Sequence, residues 1–436
     1  MNSLDKSPKF SDLLRVFGHI GCLSFGGPAG QIALMHGEIV EKRQWVDEEQ
    51  YLHALNFCHL LPGPEAQQLA TWIGWRLHGV KGGLAAGLLF VIPGALVMLA
   101  LSALYAVAAN VAWFDALFLG IKAAVLAIVF QALLRIGGRA LNTRFKQALA
   151  LTAFAALFFF NVPFPLVVLG AGMLGMIVAA RRPEWLAIKP AVGGALAARP
   201  SMWAMARTVF LWAVVWAVPM GIVLVTLGQG HVLWDIGLFF SKLAVVTFGG
   251  AYAVLAYMAQ EAVQTYGWMR PEEMADGLGL AETTPGPLIL VTQHVGFLAA
   301  FRSPEPFSPI VAGLLGAMLT TWVTFAPCFL WIFTFAPWID RLQQATRLKG
   351  GLAALTAAIV GVIANLSLWF ALHVLFLRVG HAQIGFARII EPDWTTFDWR
   401  AGILSVSAAI ILFGLKWSVF RMLAISAAMG LILGQY

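Results

Sequence analysis

Charge is scarce in this chain. Lys, Arg, Asp and Glu together make up 11% of its 436 residues, against 60% apolar residues. That is too little to cover the surface of a soluble protein of this length, so the water-soluble globular class is excluded. Cysteine is scarcer still. Cys22, Cys58 and Cys328 all fall in apolar segments, at spacings that match no zinc or redox motif, so no disulfide framework is expected. The opening MNSLDKSPKF has neither an apolar core nor a cleavage site, and no removable signal is expected. GxSxG, HExxH and paired-aspartate protease patterns are also missing, which removes the common routes to an intramembrane hydrolase.

What the chain does have is apolar length. Runs able to cross roughly 30 Å of hydrocarbon recur throughout. Candidate spans fall at about 12–35, 52–78, 83–108, 112–136, 147–161, 164–180, 206–227, 235–259, 276–300, 308–337, 350–377, 400–415 and 417–434. The pairs around Asn161 and Lys416 could each be one broken hairpin, giving about 10–13 transmembrane segments. The net charge of +7 suits basic cytoplasmic loops, because the cations sit between spans rather than along one face; no nucleic-acid partner is expected.

An internal repeat organises these segments. SFGGPAGQIALMHGEIVEKRQW aligns with TFGGAYAVLAYMAQEAVQTYGW, and adding 223 carries Phe25 to Phe248, Glu38 to Glu261, Trp45 to Trp268 and Pro62-Gly63-Pro64 to Pro285-Gly286-Pro287. Thirteen of the forty positions from 25 to 64 match without a gap. After an insertion of eleven the offset becomes 234, pairing Pro93 with Pro327 and Gln131 with Asn365. The reading is therefore an N-terminal repeat over 1–180, a linker with a connecting helix over 181–234, and a C-terminal repeat over 235–436. The stretch 181–205, with three prolines and four cations, is the central linker.

Loop charge suggests that the second repeat is inverted. Arg135, Arg139, Arg144 and Lys146 mark one loop of the first half as cytoplasmic, whereas the counterpart over 378–400 mixes Arg378, Arg388 and Arg400 with Glu391, Asp393 and Asp398. The preceding loop behaves in the opposite way: 109–111 is uncharged, and its counterpart carries Arg341, Arg347 and Lys349. Six segments plus one linking segment give the odd count that inversion needs. The expected fold is thus an all-α polytopic membrane protein of two homologous inverted-topology repeats with broken helices, an architecture of transporters.

The breaks themselves mark a site. Gly and Pro inside a span free backbone groups that only protein or a water-filled cavity can satisfy, and matching breaks in two halves point to the substrate. Freed N–H groups at a half-helix start favour an anion. The candidate binding residues are Ser24, Phe25, Gly26, Gly27, Pro28 and Gln31 at the first break, and Pro62, Gly63, Pro64, Gln67 and Gln68 at the second. In the second half they are Lys242, Thr247, Gly249 and Gly250, then Thr283, Thr284, Pro285, Gly286 and Pro287, with Thr292 nearby. His19 aligns with Lys242, each six residues before the Phe of its half, and two such cations would suit a dianion. Lys242 could equally snorkel to the interface. His19, His59, Glu65 and Glu282 are candidates for a coupling proton, although Glu65 suits helix capping as well; His59 and His294 are otherwise satisfied interior histidines.

SFGGPAGQIALMHGEIVEKRQWV, LNFCHLLPGPEAQQLATWIGWRLHG, TFGGAYAVL and LGLAETTPGPLILVTQHVGF resemble the chromate ion transporter family, in its bidomain ChrA-type form. The resemblance covers both halves. It implies export of the chromate oxyanion from the bacterial cytoplasm across the inner membrane, driven by the proton motive force and conferring chromate resistance. Chromate and protons are then the partners, with the lipid bilayer, and no cofactor or metal is needed. Sulfate or another oxyanion as substrate, or a passive anion channel of the same fold, is the alternative; an intramembrane enzyme using Glu282 and His59 is a more distant one. A homodimer is one oligomeric state open to it.

The charge pattern makes one topological prediction. Loops 36–51 and 260–274 are equivalent under the repeat, and the first carries net −3 over Glu38, Glu41, Lys42, Arg43, Asp47, Glu48 and Glu49, which places it outside. Single cysteines introduced in a background lacking Cys22, Cys58 and Cys328 should label from outside in the first loop and not in the second. Labelling of both would refute inversion.

Overall fold

The computed structural model describes residues 8–25, 27–108, 112–188, 201–248, 251–339, 342, 345–385 and 387–434. Three of the sequence-predicted site residues, Gly26, Gly249 and Gly250, lie outside them, as do the loop 109–111, the linker residues 189–200 and Arg341. Among the described residues, six helices are long and apolar enough to cross a membrane: 65–108, 116–140, 164–181, 202–226, 309–338 and 346–375. The first, at 44 residues, is really two helices joined at His78 and Gly79, where the dihedrals leave the helical region.

Several predicted continuous spans are interrupted where Gly and Pro fall. The run 12–35 is two helices, α1 (Phe10–Leu23) and α2 (Gly27–His36). The run 52–78 divides between α3 (Glu48–Cys58) and α4 (Glu65–Ala108) across Pro62-Gly63-Pro64. Then come α5 (Ala112–Ala140), α6 (Arg144–Phe158), α7 (Phe164–Arg181) and α8 (Met202–Thr226). In the second half, 235–259 becomes α9 (Val232–Val246) and α10 (Ala251–Gln260). Likewise, 276–300 becomes α11 (Pro271–Thr283) and α12 (Val291–Arg302), with a short 3₁₀ turn at Leu288–Leu290. The chain continues through α13 (Pro309–Phe335), α14 (Thr346–Leu375), α15 (Trp399–Ala409) and α16 (Val419–Leu433). The offset of 234 carries the start of α5 onto that of α14.

The π turns repeat too. Gly37–Lys42 and Glu261–Thr265 both widen the helix, and in both a tryptophan closes the widened turn: Trp45 N–H donates to Ile39 O at 2.9 Å, and Trp268 N–H to Ala262 O at 2.8 Å. In the first, Lys42 (2.5 Å) and Arg43 close onto the buried Glu38 carboxylate and hold it below its ordinary pKa, with Lys42 the larger influence. The second has Thr265 and Tyr266 at those positions.

The chain packs as two compact units, and neither is a repeat. One draws on 1–103, 192–251 and 284–345, the other on 104–191, 252–283 and 346–436. The pair α2–α3 belongs to the first unit and its counterpart α10–α11 to the second, so the repeats do not contribute equally.

Within the first unit α13 packs on α8, α9 and α12. Two indoles pin it to α8: Trp216 Nε1 donates to Val323 O at 3.1 Å and Trp322 Nε1 to Val215 O at 3.2 Å. In each half the helix following the Pro-Gly-Pro turn meets the next one glycine to glycine. A Cβ on Gly74 would overlap Gly82 O, and one on Gly316 would overlap Gly296 O. Without a hydrophobic drive between helices in lipid, such close backbone approach is what holds them together.

The second unit uses the same device. Gly120 meets Ser426, Gly175 meets Gly350, and Gly361 meets the Ala150 carbonyl, as α14 packs on α5, α6 and α7, and α16 packs on α5. Residues 379–384 and 387–392, read from sequence as a charged loop, form an antiparallel hairpin with Val379 opposite Pro392. Gly385, at φ +61°, makes its turn, and Arg388 N–H anchors the hairpin on Phe159 O at 2.7 Å.

Substituting Gly316→Ala should therefore lower the melting temperature in detergent by several degrees, as overpacking against backbone costs about 1–3 kcal/mol. Gly221→Ala, in open space on α8, should not. Equal melting temperatures would contradict the glycine crossing.

Candidate functional site

The two Pro-Gly-Pro turns and the ends of α1 and α9 come together in the first unit. Only glycine in Pro-Gly-Pro has a backbone N–H. The N–H of Gly63 donates to Thr247 O at 2.7 Å, and that of Gly286 to Ser24 O at 2.9 Å. Since 24 and 247, like 63 and 286, are equivalent under the repeat, the exchange is reciprocal: each half's turn binds the other half's helix end. Such an exchange is what a two-fold relation produces.

Local chemistry prepares each partner. Ser24 Oγ donates to Ile20 O and Thr247 Oγ1 to Leu243 O, each at 2.6 Å, so both hydroxyls cap their helix from inside. Both residues are fully buried. The glycines take φ of +117° and +86°, which a side chain tolerates poorly. A Cβ on Gly63 would stand 2.9 Å from Gln68 Nε2 and 3.0 Å from Cys328 Sγ.

Side chains complete the ring. Gln31, buried, donates through Nε2 to Gly286 O at 2.6 Å. Gln68 Nε2 donates to Pro62 O at 2.7 Å. Gln67 Nε2 donates to Thr71 Oγ1 at 3.1 Å, and Thr71 returns a bond to Gln67 O at 2.9 Å. Thr292 Oγ1 donates to Ile289 O at 2.8 Å. The buried Gln67 Oε1, Gln68 Oε1, Gln293 Oε1, Thr324 Oγ1 and Trp72 Nε1 find no partner. This much uncompensated polarity in an apolar unit fits a site that a polar ligand completes.

The remaining sequence-predicted residues are spread more widely. Pro64, Pro285 and Pro287 are buried with their glycines; Pro28, Gly27 and Pro62 are half-buried, and Phe25 is exposed. Thr284 is buried, while Thr283 is half-buried and donates to Leu280 O at 2.8 Å. Glu65 is buried at the start of α4, and Glu282 is half-buried. His19, His59 and Lys242 are exposed. The equivalent pair His19 and Lys242 thus lies one turn back from the buried centre, not in it.

One expectation is corrected. The N–H groups of Gly63 and Gly286, read as anion donors, are already spent on Thr247 and Ser24. The first N–H of α4 to find an acceptor is that of Gln68, bonded to Pro64 O at 3.1 Å. The N–H groups of Glu65, Ala66 and Gln67 therefore have no acceptor within the helix. Sequence reading missed Thr71, Trp72, Gln293 and Thr324; their positions within the two Pro-Gly-Pro repeats and on α13 would have been the only clue. A polar hollow, about 500 Å³, lies in the other unit, lined by Asn161, Gln260, Gln264, Trp369, His373 and Arg388. No group of metal-ligating side chains occurs among the described residues.

The chain is a polytopic membrane protein, duplicated, with its helix breaks joined at one polar centre. A sequence profile of the chromate transporter family matches residues 11–176 and 234–431, and the chain belongs to that family. It is 31% identical over 417 residues to a chromate transport protein of Pseudomonas aeruginosa, covering 94% of this chain and 92% of that one. It is 27% identical over 364 residues to a chromate transport protein of Cupriavidus metallidurans, covering 83% of each. An uncharacterized transporter of Methanocaldococcus jannaschii is 24% identical over 369 residues, 84% of this chain and 86% of the other. No solved structure matches.

Gln31→Leu strands the Gly286 carbonyl. It should destabilise the protein by about 1–3 kcal/mol, read as a lower melting temperature in detergent, and should weaken transport. The repeat equivalent of Gln31 is Val254, which has no amide to give. A wild-type melting temperature for Gln31→Leu would show that this bond does not hold the turn.

Proposed function

We propose that this protein is a secondary transporter that exports chromate from the bacterial cytoplasm across the inner membrane, driven by the proton motive force, and that it confers chromate resistance. The observation carrying this reading is the reciprocal joining of two Pro-Gly-Pro turns and two helix ends, in a chain of the chromate transporter family. The reading takes the repeats as inverted, in keeping with the reciprocal exchange and the switch in loop charge.

Chromate is a tetrahedral dianion that needs no nucleophile and no metal, only donors arranged in place of its hydration shell. The N–H groups at the start of α4 and the hydroxyl of Thr324 are such donors, in a buried setting where each dipole acts strongly. A ring built chiefly of dipoles suits a carrier: it holds the ion without the depth of a cationic trap, so the ion can leave. Lys242, exposed one turn back from the ring, attracts the anion on approach.

Expressed in a chromate-sensitive bacterium, the protein should lower chromate accumulation severalfold, and a protonophore should abolish the effect. Excess sulfate, of similar size and charge, should compete. Unchanged accumulation despite membrane expression would refute chromate as substrate, and protonophore-insensitive export would refute the coupling and favour the channel.

A further inference from the structure

We infer that Asp276, held between Lys122 and Tyr105, is the group that carries the coupling proton. The inference rests on the proton-driven reading above. Asp276 lies in the middle of α11 and is only 4% exposed. Its Oδ2 accepts the Tyr105 hydroxyl at 2.6 Å, and its Oδ1 lies 3.4 Å from Lys122 Nζ. Lys122 projects from α5, a helix long and apolar enough to span the membrane. Ionisable side chains in such a place are expensive and are kept chiefly where an ion or proton must pass.

The carboxylate's surroundings favour a change of protonation state. The Lys122 ammonium at 3.4 Å is the contact of Oδ1, longer than the Tyr105 bond on Oδ2. A proton can bind Oδ1 without displacing the Tyr105 bond. Protonation of Asp276 raises the charge of the triad by one. That change alters what the triad attracts, which is what coupling to a dianion requires.

Other acids are less suited. Glu273, one turn earlier and 2% exposed, is closed by Arg270 through Nη2 at 3.0 Å and the backbone N–H at 2.8 Å. Glu272, also on α11, acts electrostatically on His373 of α14, the other helix against which α11 packs. Lys122 on α5 and Tyr105 at the end of α4 are thus the groups that meet Asp276 directly among the described residues. The repeat sets His53 opposite Asp276 and Thr356 opposite Lys122, so the triad exists once, consistent with a single coupling point.

Purified protein in proteoliposomes separates the outcomes. Asp276→Asn should keep chromate counterflow, which moves no net proton, within about twofold of wild type. It should lose accumulation driven by a pH gradient at least tenfold, and its residual rate should not vary with pH. Asp276→Glu should restore driven accumulation with a displaced pH profile. Should Asp276→Asn fail to fold with Lys122 left uncompensated, the double variant with Lys122→Gln is neutral and gives the same test. Driven accumulation at wild-type level in either Asn variant overturns the proton assignment alone. Wild-type protein lacking counterflow overturns the transport reading, and the assignment with it.

Discussion

A Pro-Gly-Pro turn buried in an apolar setting has one backbone N–H to offer, and the whole arrangement of this protein follows from where that donor goes. Two prolines bar the turn from pairing within its own helix, and lipid offers nothing in exchange. In this chain the donor is satisfied by the other repeat. Gly63 binds the last carbonyl region of α9 and Gly286 that of α1, so each half completes a break that the other cannot close alone. Losing either partner leaves a buried backbone group unpaired, worth about 1–3 kcal/mol, at the point where four helix segments end or begin.

The interleaving of the compact units is a consequence. If each repeat closed its own breaks, each could pack as a separate body. Because the turns are exchanged, α1 and the first part of α4 must fold together with α9, α12 and α13. Glycine makes this packing possible: the Gly74–Gly82 and Gly296–Gly316 crossings let the helices after each turn fold back closely, where larger side chains would hold the turns apart.

Much of this was legible in the sequence. The apolar runs, the duplication and the helix breaks at Ser24–Gly27, Pro62–Pro64, Thr247 and Pro285–Pro287 follow from composition and from one fixed offset, because Gly and Pro act locally. The partners of the breaks did not follow. A bond between residues 63 and 247 is a matter of long-range geometry, and so the glycine N–H groups were read as free donors for an anion. The hairpin over 379–392 was hidden because its alternation is weak and its charges are mixed. Asp276 and Lys122 were each visible as a charge in or beside an apolar run; that they meet depends on how α11 lies against α5.

The placement of charge gives the structure its last element of logic. Among the described residues, the ring around Ser24, Thr247, Gln31, Gln67 and Gln68 has the buried carboxyl of Glu65 and the buried thiol of Cys328 beside it, and consists mainly of amides, hydroxyls and backbone dipoles. The opposite charges Asp276, buried, and Lys122, half-buried, lie in the other unit. Had a lysine sat within the ring, its attraction for a dianion at about 4 Å would be roughly 8 kcal/mol at an effective dielectric of 20, twice the value for unit charges and before desolvation is subtracted. Release would then be slow. Dipoles bind more weakly and lose little when the ion leaves. On the proposed reading, the first unit holds the ion by dipoles and the second holds a group that changes its charge.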